Sequence, residues 1–397
     1  MTNTFAGGEK QPFVLIIGQC FLYAGITITS LFVFAITGSL FASLIFNLPF
    51  DAFMGIDYDN ISMQMVQALK VVQLFSPVLA FLVSAWLISR IHSGKPWRFM
   101  GADKYAAPWL YFVVGGLWLA FYPLLAWMIE VNQQMQLPQS FSAIEEWMQK
   151  SEISLEKLTE KLLAGSGVGT FLSNVLIIAV APAISEELFF RGTIQRLFRH
   201  WTLNPHIAIF VAGFLFSFIH FQFYGFLPRM AMGVLFGYLL YWSGSIWVPV
   251  FAHFLNNFLA VLGIYLYNNG IIDINIEEEE SFPWWLTLIS VFSTVIILFL
   301  IYQKLKTKNK SSLYVSEKGL EGNLEIKPEE KEPNWIKIYS VNQVYEAEIL
   351  VGALENEGIK AIVVNKKDSS YQFGDAEIYC HEEDADKALG IIRNNIL

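Results

Sequence analysis

Residues 181–200 read APAISEELFFRGTIQRLFRH. They close a longer stretch that begins at 162, LLAGSGVGTFLSNVLIIAVAPAIS, which carries no charge. Glu186, Glu187 and, four residues on, Arg191 then stand where a membrane helix would ordinarily stay apolar. The surrounding chain shows that lipid is the relevant solvent. Of 397 residues, 54% are hydrophobic, 16% aromatic and only 15% charged, and mean hydropathy is +0.45, too apolar for a water-soluble chain of this length. A helix crosses a bilayer with roughly 20 apolar residues. Uncharged runs of that order recur at 11–50, 71–89, 105–129, 162–185, 201–228, 230–272 and 281–303. The run 230–272 suffices for two spans, with WSGS at 242–245 as the turn. The expectation is an all-α polytopic membrane bundle of about eight transmembrane helices, since only helices or closed barrels satisfy their backbone in lipid.

The first run lacks a basic leader and a small-residue cleavage site, so it reads as a retained span. Connections alternate in charge. Asp51, Asp57 and Asp59 are followed by Arg90, Lys95, Arg98 and Lys104; after a mixed, acid-leaning 130–161 come Arg191, Arg196 and Arg199, then DINIEEEE at 273–280, then Lys304, Lys306, Lys308 and Lys310. By the positive-inside rule both termini are expected in the cytoplasm. The net charge of -9 says little by itself, but the basic residues are few and scattered, so no nucleic-acid partner is expected. Cys20 and Cys380 have no metal-binding spacing and are expected at different depths, without a disulfide.

Residues 139–163 are amphipathic, with a capping-box candidate at Ser142 and Glu145. Phe141, Ile144, Trp147 and Met148 would suit an interfacial helix on the outer leaflet; a solvated hairpin is the alternative. The membrane unit is expected over 1–305, a polar, flexible linker over 306–334, and a small soluble unit over 335–397. There IKIYSV, KAIVVN and AEIYCH are strand candidates, and 342–358 (ended by Gly358) and 382–396 are helix candidates. This β-α-β-β-α order predicts a cytosolic, ferredoxin-like α+β domain with a partner of its own. It resembles a short bacterial domain described as signal-transducing.

Ionisable groups inside spans are costly and mark functional sites by default. His92, His200, His206 and His381 fall at connections or in the soluble unit. His220 and His253 instead lie inside uncharged runs, FLFSFIHFQFYGF and VPVFAHFLNNFLA. Glu187 and Arg191 share a helix face and can pair, whereas Glu186, turned by about 100°, is left without a local partner. His253 and Asn257 project together, as do Phe216 and His220. Helix rise puts Glu186 and His220 each ~21 Å above the cytoplasmic ends of their helices, and His253 and Asn257 at ~10–16 Å, so one buried site is geometrically open to them.

A partly desolvated carboxylate is a competent general base toward water. One imidazole can share the proton transfer, and a second His with an Asn can donate to the oxyanion of an attacked amide. No GxSxG or HExxH offers a competing mechanism. The plain alternatives are a buried ion pair for Glu187 and Arg191, a core histidine on a neighbouring carbonyl for His220, and a helix-packing pair for His253 and Asn257. Pro182 and Pro249 are kink candidates.

EELFFR, FSFIH (216–220) and HFLNN (253–257) resemble, in order, the EExxxR, FxxxH and HxxxN motifs of the CAAX-processing and bacteriocin-immunity (CPBP, or Abi) family of intramembrane proteases, over about 165–268. The resemblance implies an intramembrane endopeptidase acting on a membrane-associated peptide or protein. Glu186 would be its base, His220 the second water-activating residue, His253 and Asn257 the oxyanion donors, and Glu187 and Arg191 the supporting pair. No cofactor is expected on this reading; a zinc version would be held by Glu186, His220 and His253. A non-catalytic immunity or binding protein and, more weakly, a proton-relaying transporter are the alternatives.

Overall fold

The computed structural model describes residues 13–57, 60–273, 282–322, 335–341, 344–365 and 376–396. The chain divides into two compact units, Met1–Tyr314 and Val315–Leu397. In the first, seven helices are long and apolar enough to cross a membrane. They lie in α1 (Phe13–Phe46), α2 (Met63–Ser93), α3 (Pro108–Gln133), α5 (Val168–Thr202), α7 (Phe226–Ser243, led by a 3-10 turn at Phe223–Gly225), α8 (Trp247–Asn268) and α9 (Trp284–Gly322). The amphipathic connector is α4 (Ser142–Leu163). Large apolar side chains such as Phe21, Phe32, Leu44, Phe112 and Phe292 face outward, as they must where the surrounding medium is hydrocarbon.

The eighth expected crossing differs. The run 201–228 gives α6 (Pro205–Phe218), 14 residues long, or ~21 Å against a hydrocarbon core of ~30 Å. Its start follows local rules: Asn204 accepts from the backbone N–H groups of His206 and Ile207, and Pro205 occupies the first turn. It stops because Phe221 takes φ +53°, a left-handed conformation no helix continues through. His220 therefore sits in a turn beyond α6 and not within a span. An uncharged run reports compatibility with lipid, not helix continuity.

Two further features escape periodicity. α5 is wound with i→i+5 bonds over Val175–Val180 and again over Glu187–Ile194, around an α-helical turn at Ala181–Glu186. Such π segments concentrate at functional sites; Glu186 ends the turn between this pair and Glu187 opens the second. α6 and α7 meet at Gly213 and Gly233. A methyl added to Gly233 would stand 2.8 Å from the Gly213 Cα, so only glycine allows this backbone approach.

α4 begins at Ser142 with Phe141 as its cap residue and no side-chain cap bond. The expected capping box does not form, because a 3-10 turn at Gln139–Phe141 leads in and carries Ser142 into the helix itself. At the far end of the unit, α9 continues as helix through Gly322, so the first part of 306–334 is helical backbone; 323–334 lies outside the described residues.

The second unit holds β1 (Trp335–Val341), α10 (Val344–Asn356), β2 (Ala361–Asn365), β3 (Ala376–His381) and α11 (Ala385–Ile396). β3 lies between β1 and β2 and is antiparallel to both. Leu350, Leu354, Ile378, Cys380 and Ile392 form its core. Gly358, at φ +78°, closes α10, and the Ile359 N–H bonds back to the Leu354 carbonyl. The order is β-α-β-β-α; among the described residues the sheet has three strands, where a ferredoxin-like sheet has four. Both cysteines are free.

Candidate active site

Glu187 and Arg191 are wholly buried, with Arg191 Nη1 2.8 Å from Glu187 Oε1. The guanidinium lies over the Phe216 ring, 4.2 Å from its centroid, so α5 is joined to α6 through charge and aromatic face together. The same Oε1 is 2.8 Å from His253 Nδ1. A carboxylate oxygen only accepts, so His253 Nδ1 carries the proton and Nε2 presents its lone pair. His220 is held in the same tautomer: its Nδ1 donates to the Phe216 carbonyl at 2.6 Å. The core-histidine alternative and the functional reading thus describe two nitrogens of one ring.

Both free Nε2 atoms face one oxygen. Glu186 Oε2 is 3.9 Å from His220 Nε2 and 3.9 Å from His253 Nε2. That is too long for a direct hydrogen bond and suits one bridging water. The structure therefore brings Glu186, Glu187, Arg191, His220 and His253 together, from α5, α8 and the turn after α6. An apolar cavity of about 650 Å³ between α1, α2, α5 and α6 reaches the same carboxylate, with Tyr23, Pro77, Phe81, Pro182, Glu186 and His220 in its wall. This is the size range of ligand pockets.

Asn257 is differently engaged. It shares a face of α8 with His253, yet its Nδ2 donates to the Ile178 carbonyl at 2.9 Å, and its Oδ1 accepts from Asn256 at 3.0 Å. In regular α-helical winding the Ile178 carbonyl would receive the N–H four residues on, but position 182 is proline, which has none. Asn257 supplies a donor to that carbonyl across the helix interface. Asn257→Ala is expected to lower the melting midpoint in detergent by the equivalent of about 1–3 kcal/mol. Pro182→Ala in that background returns an N–H to the carbonyl and should restore most of the loss.

Sequence reasoning passed over the residues that fix the turn carrying His220. Asn132 Nδ2 donates to the Phe223 carbonyl, and its Oδ1 accepts the Leu227 N–H. Arg229 donates twice to Gln222. On α4, Trp147 packs on Phe221 and Phe223, and Glu152 accepts the Tyr224 N–H; burial pushes the Glu152 carboxyl above its ordinary value. A signal for Arg229 was available, a lone arginine in the otherwise uncharged FLPRMAMG.

Could the same donors hold zinc? Two imidazole nitrogens with anchored partners and one carboxylate are suitable in kind. Their spacing is not: 3.9 Å exceeds the ~3.3 Å edge of a tetrahedral zinc site built on ~2.0–2.1 Å bonds. Among the described residues no group of three or more His, Cys, Asp or Glu could hold a metal ion.

Residues 168–259, from the start of α5 into α8, match the family described as type II CAAX prenyl endopeptidase Rce1-like. The similarity is confined to this segment of the membrane unit. The match spans EELFFR, FSFIH and HFLNN, so the sequence resemblance and the family meet on the same residues, and with seven apolar helices the chain is a multi-pass membrane protein. Residues 335–396 match the family described as "Putative prokaryotic signal transducing protein". YpbD of Bacillus subtilis (strain 168), described as uncharacterized, is 27% identical over 88 residues, which are 21% of this chain and 42% of that protein. The alignment thus spans less than half of that relative's length. No solved structure matches.

Proposed function

We propose that the Rce1-like unit is an intramembrane endopeptidase that hydrolyses a peptide bond of a membrane-associated substrate through activated water. The observation that carries this reading is the convergence of two anchored imidazoles on Glu186, each 3.9 Å from the same carboxylate oxygen. A water held there donates toward Glu186, which takes its proton as general base while His220 Nε2 orients it. The hydroxyl adds to the substrate carbonyl, and the carbon–oxygen double bond becomes an oxyanion. The proton taken up by Glu186 is relayed to His253 Nε2, which lies 3.9 Å from Glu186 Oε2, and the resulting N–H holds that charge. The proton then passes to the leaving amine as the carbon–nitrogen bond breaks. The apolar cavity beside Glu186 suits a lipid-like or apolar portion of the substrate, in keeping with the prenyl endopeptidase description of the matched family.

Asn257 is proposed as a further oxyanion donor in addition to its bond to Ile178. In the Pro182→Ala, Asn257→Ala protein, stability returns while peptide cleavage stays depressed; recovery of both would leave Asn257 a purely architectural role. The water mechanism also predicts that a strong chelator leaves the cleavage rate unchanged. Loss of rate with recovery on zinc add-back would replace it with the zinc version. The functional test is a comparison of membrane peptidomes from cells bearing the wild type and Glu186→Gln. Peptides generated only by the wild type are expected, and identical peptidomes would favour the non-catalytic binding protein.

Counting α6 as a shortened eighth crossing, the alternation of basic and acidic connections is consistent with both termini on the cytoplasmic side, and we propose a prokaryotic inner membrane in line with the description of the family matched by the second unit. The second unit would there receive a cytosolic partner, in line with the signal-transducing description of its family.

A further inference from the structure

Glu186 and His253 are carried by helices, whereas His220 lies beyond the end of α6, in a turn that includes a left-handed Phe221. An aromatic residue at positive φ persists only where its surroundings over-determine it. The described contacts supply that constraint from outside the three motifs. Asn132, at the end of α3, bonds both edges of the turn, to the Phe223 carbonyl at 2.9 Å and from the Leu227 N–H at 2.6 Å. Arg229, in the first turn of α7, grips one residue twice: Nη1 to the Gln222 carbonyl at 3.1 Å and Nη2 to Gln222 Oε1 at 2.9 Å. Gln222 is two residues from His220. A methyl at Gly225 would stand 3.1 Å from Arg229 Nη2, so glycine there makes room for the grip.

We propose that Arg229 and Asn132 are positioning residues that set His220 Nε2 opposite Glu186, an inference that rests on the hydrolytic reading of the site. The arginine is placed for geometry as well as charge. Its planar fork reaches a carbonyl and an amide oxygen of one residue, which the single ammonium of lysine cannot do in the same arrangement. Arg229 borders a second, more polar cavity of about 530 Å³, shared with Gln133, Glu152, Glu156 and Gln222. The packing of α6 on α7 at Gly213 and Gly233 does not use Arg229 as a donor, so its loss should disturb the turn and leave the helix pair in place.

The test uses the full-length purified protein in lipid nanodiscs, with peptide cleavage and ¹⁵N-histidine NMR measured on each variant. Arg229→Met should lower kcat by about 10²-fold, the scale of a 1 Å misplacement, with KM within about twofold of wild type. Arg229→Lys should recover only part of kcat. The His220 imidazole signals should leave the Nδ1–H tautomer pattern in Arg229→Met and Asn132→Ala, while those of His253 stay unmoved. Should Arg229→Met fail to fold, Gln222→Ala removes one acceptor of the grip without unpairing a buried charge, and the same two readouts apply. Wild-type kcat in the variants, or a fall in kcat with unmoved His220 signals, overturns the proposal. If the wild type cleaves no peptide, the hydrolytic reading falls by itself, and the His220 spectra still decide whether these residues set the ring.

Discussion

Glu186→Gln is expected to reduce peptide cleavage by about 10²–10⁴-fold, the usual contribution of a positioned general base, and to leave the protein folded in the membrane. The substitution keeps the shape of the side chain and replaces an oxygen that faces two imidazole Nε2 atoms with an amide that cannot accept a proton from water. The glutamine amide could still hydrogen-bond a water in the gap, so substrate binding should persist and the loss should fall in kcat. Because the Glu186 side chain takes no part in the Glu187–Arg191 pair, the melting midpoint should move little. Wild-type turnover in this variant would remove Glu186 as the base. A loss of turnover together with a collapse of the midpoint would mean that the carboxylate serves packing instead.

The second large effect concerns stability. Arg191→Met should destabilise the membrane unit by about 3–5 kcal/mol, because it strands Glu187 as a buried, uncompensated carboxylate. Glu187→Ala should cost a similar amount by stranding the guanidinium, whose remaining partners are aromatic faces. The Glu187→Ala, Arg191→Met double variant should lose less than the sum of the two single losses, since residues in one ion pair are not additive. Glu187→Ala carries a further consequence: His253 Nδ1 loses its acceptor at 2.8 Å and with it the fixed tautomer. Thermal unfolding in detergent reads the first effect and ¹⁵N-histidine NMR the second. Equal midpoints for wild type and Arg191→Met would show that the pair does not stabilise the bundle.

Much of the site was legible because local chemistry and helical spacing carry it. Four-residue spacing paired Glu187 with Arg191 and left Glu186 apart, and it put Asn257 on the His253 face of α8. What stayed hidden depended on residues distant in the chain. The bond from Asn257 to Ile178 links positions 79 residues apart, and only the stacking of α8 on α5 makes that carbonyl meet the amide. The π segments of α5 were equally silent, since a hydropathy pattern cannot distinguish i→i+5 from i→i+4 bonding. Arg229 gave a signal, a charge in an apolar run, but no spacing tied it to His220.

The amino-acid order by itself determined a lipid-embedded helical bundle, its attached α+β unit and the residue types of the candidate site, because hydropathy, charge and near-neighbour spacing are properties of the chain. Tertiary structure alone decided that one expected span is a short helix ending in a turn. It also decided that both imidazoles present the same nitrogen to one carboxylate oxygen. Those outcomes depend on which donors meet which acceptors across helices, and a buried polar group takes the partner that packing brings to it.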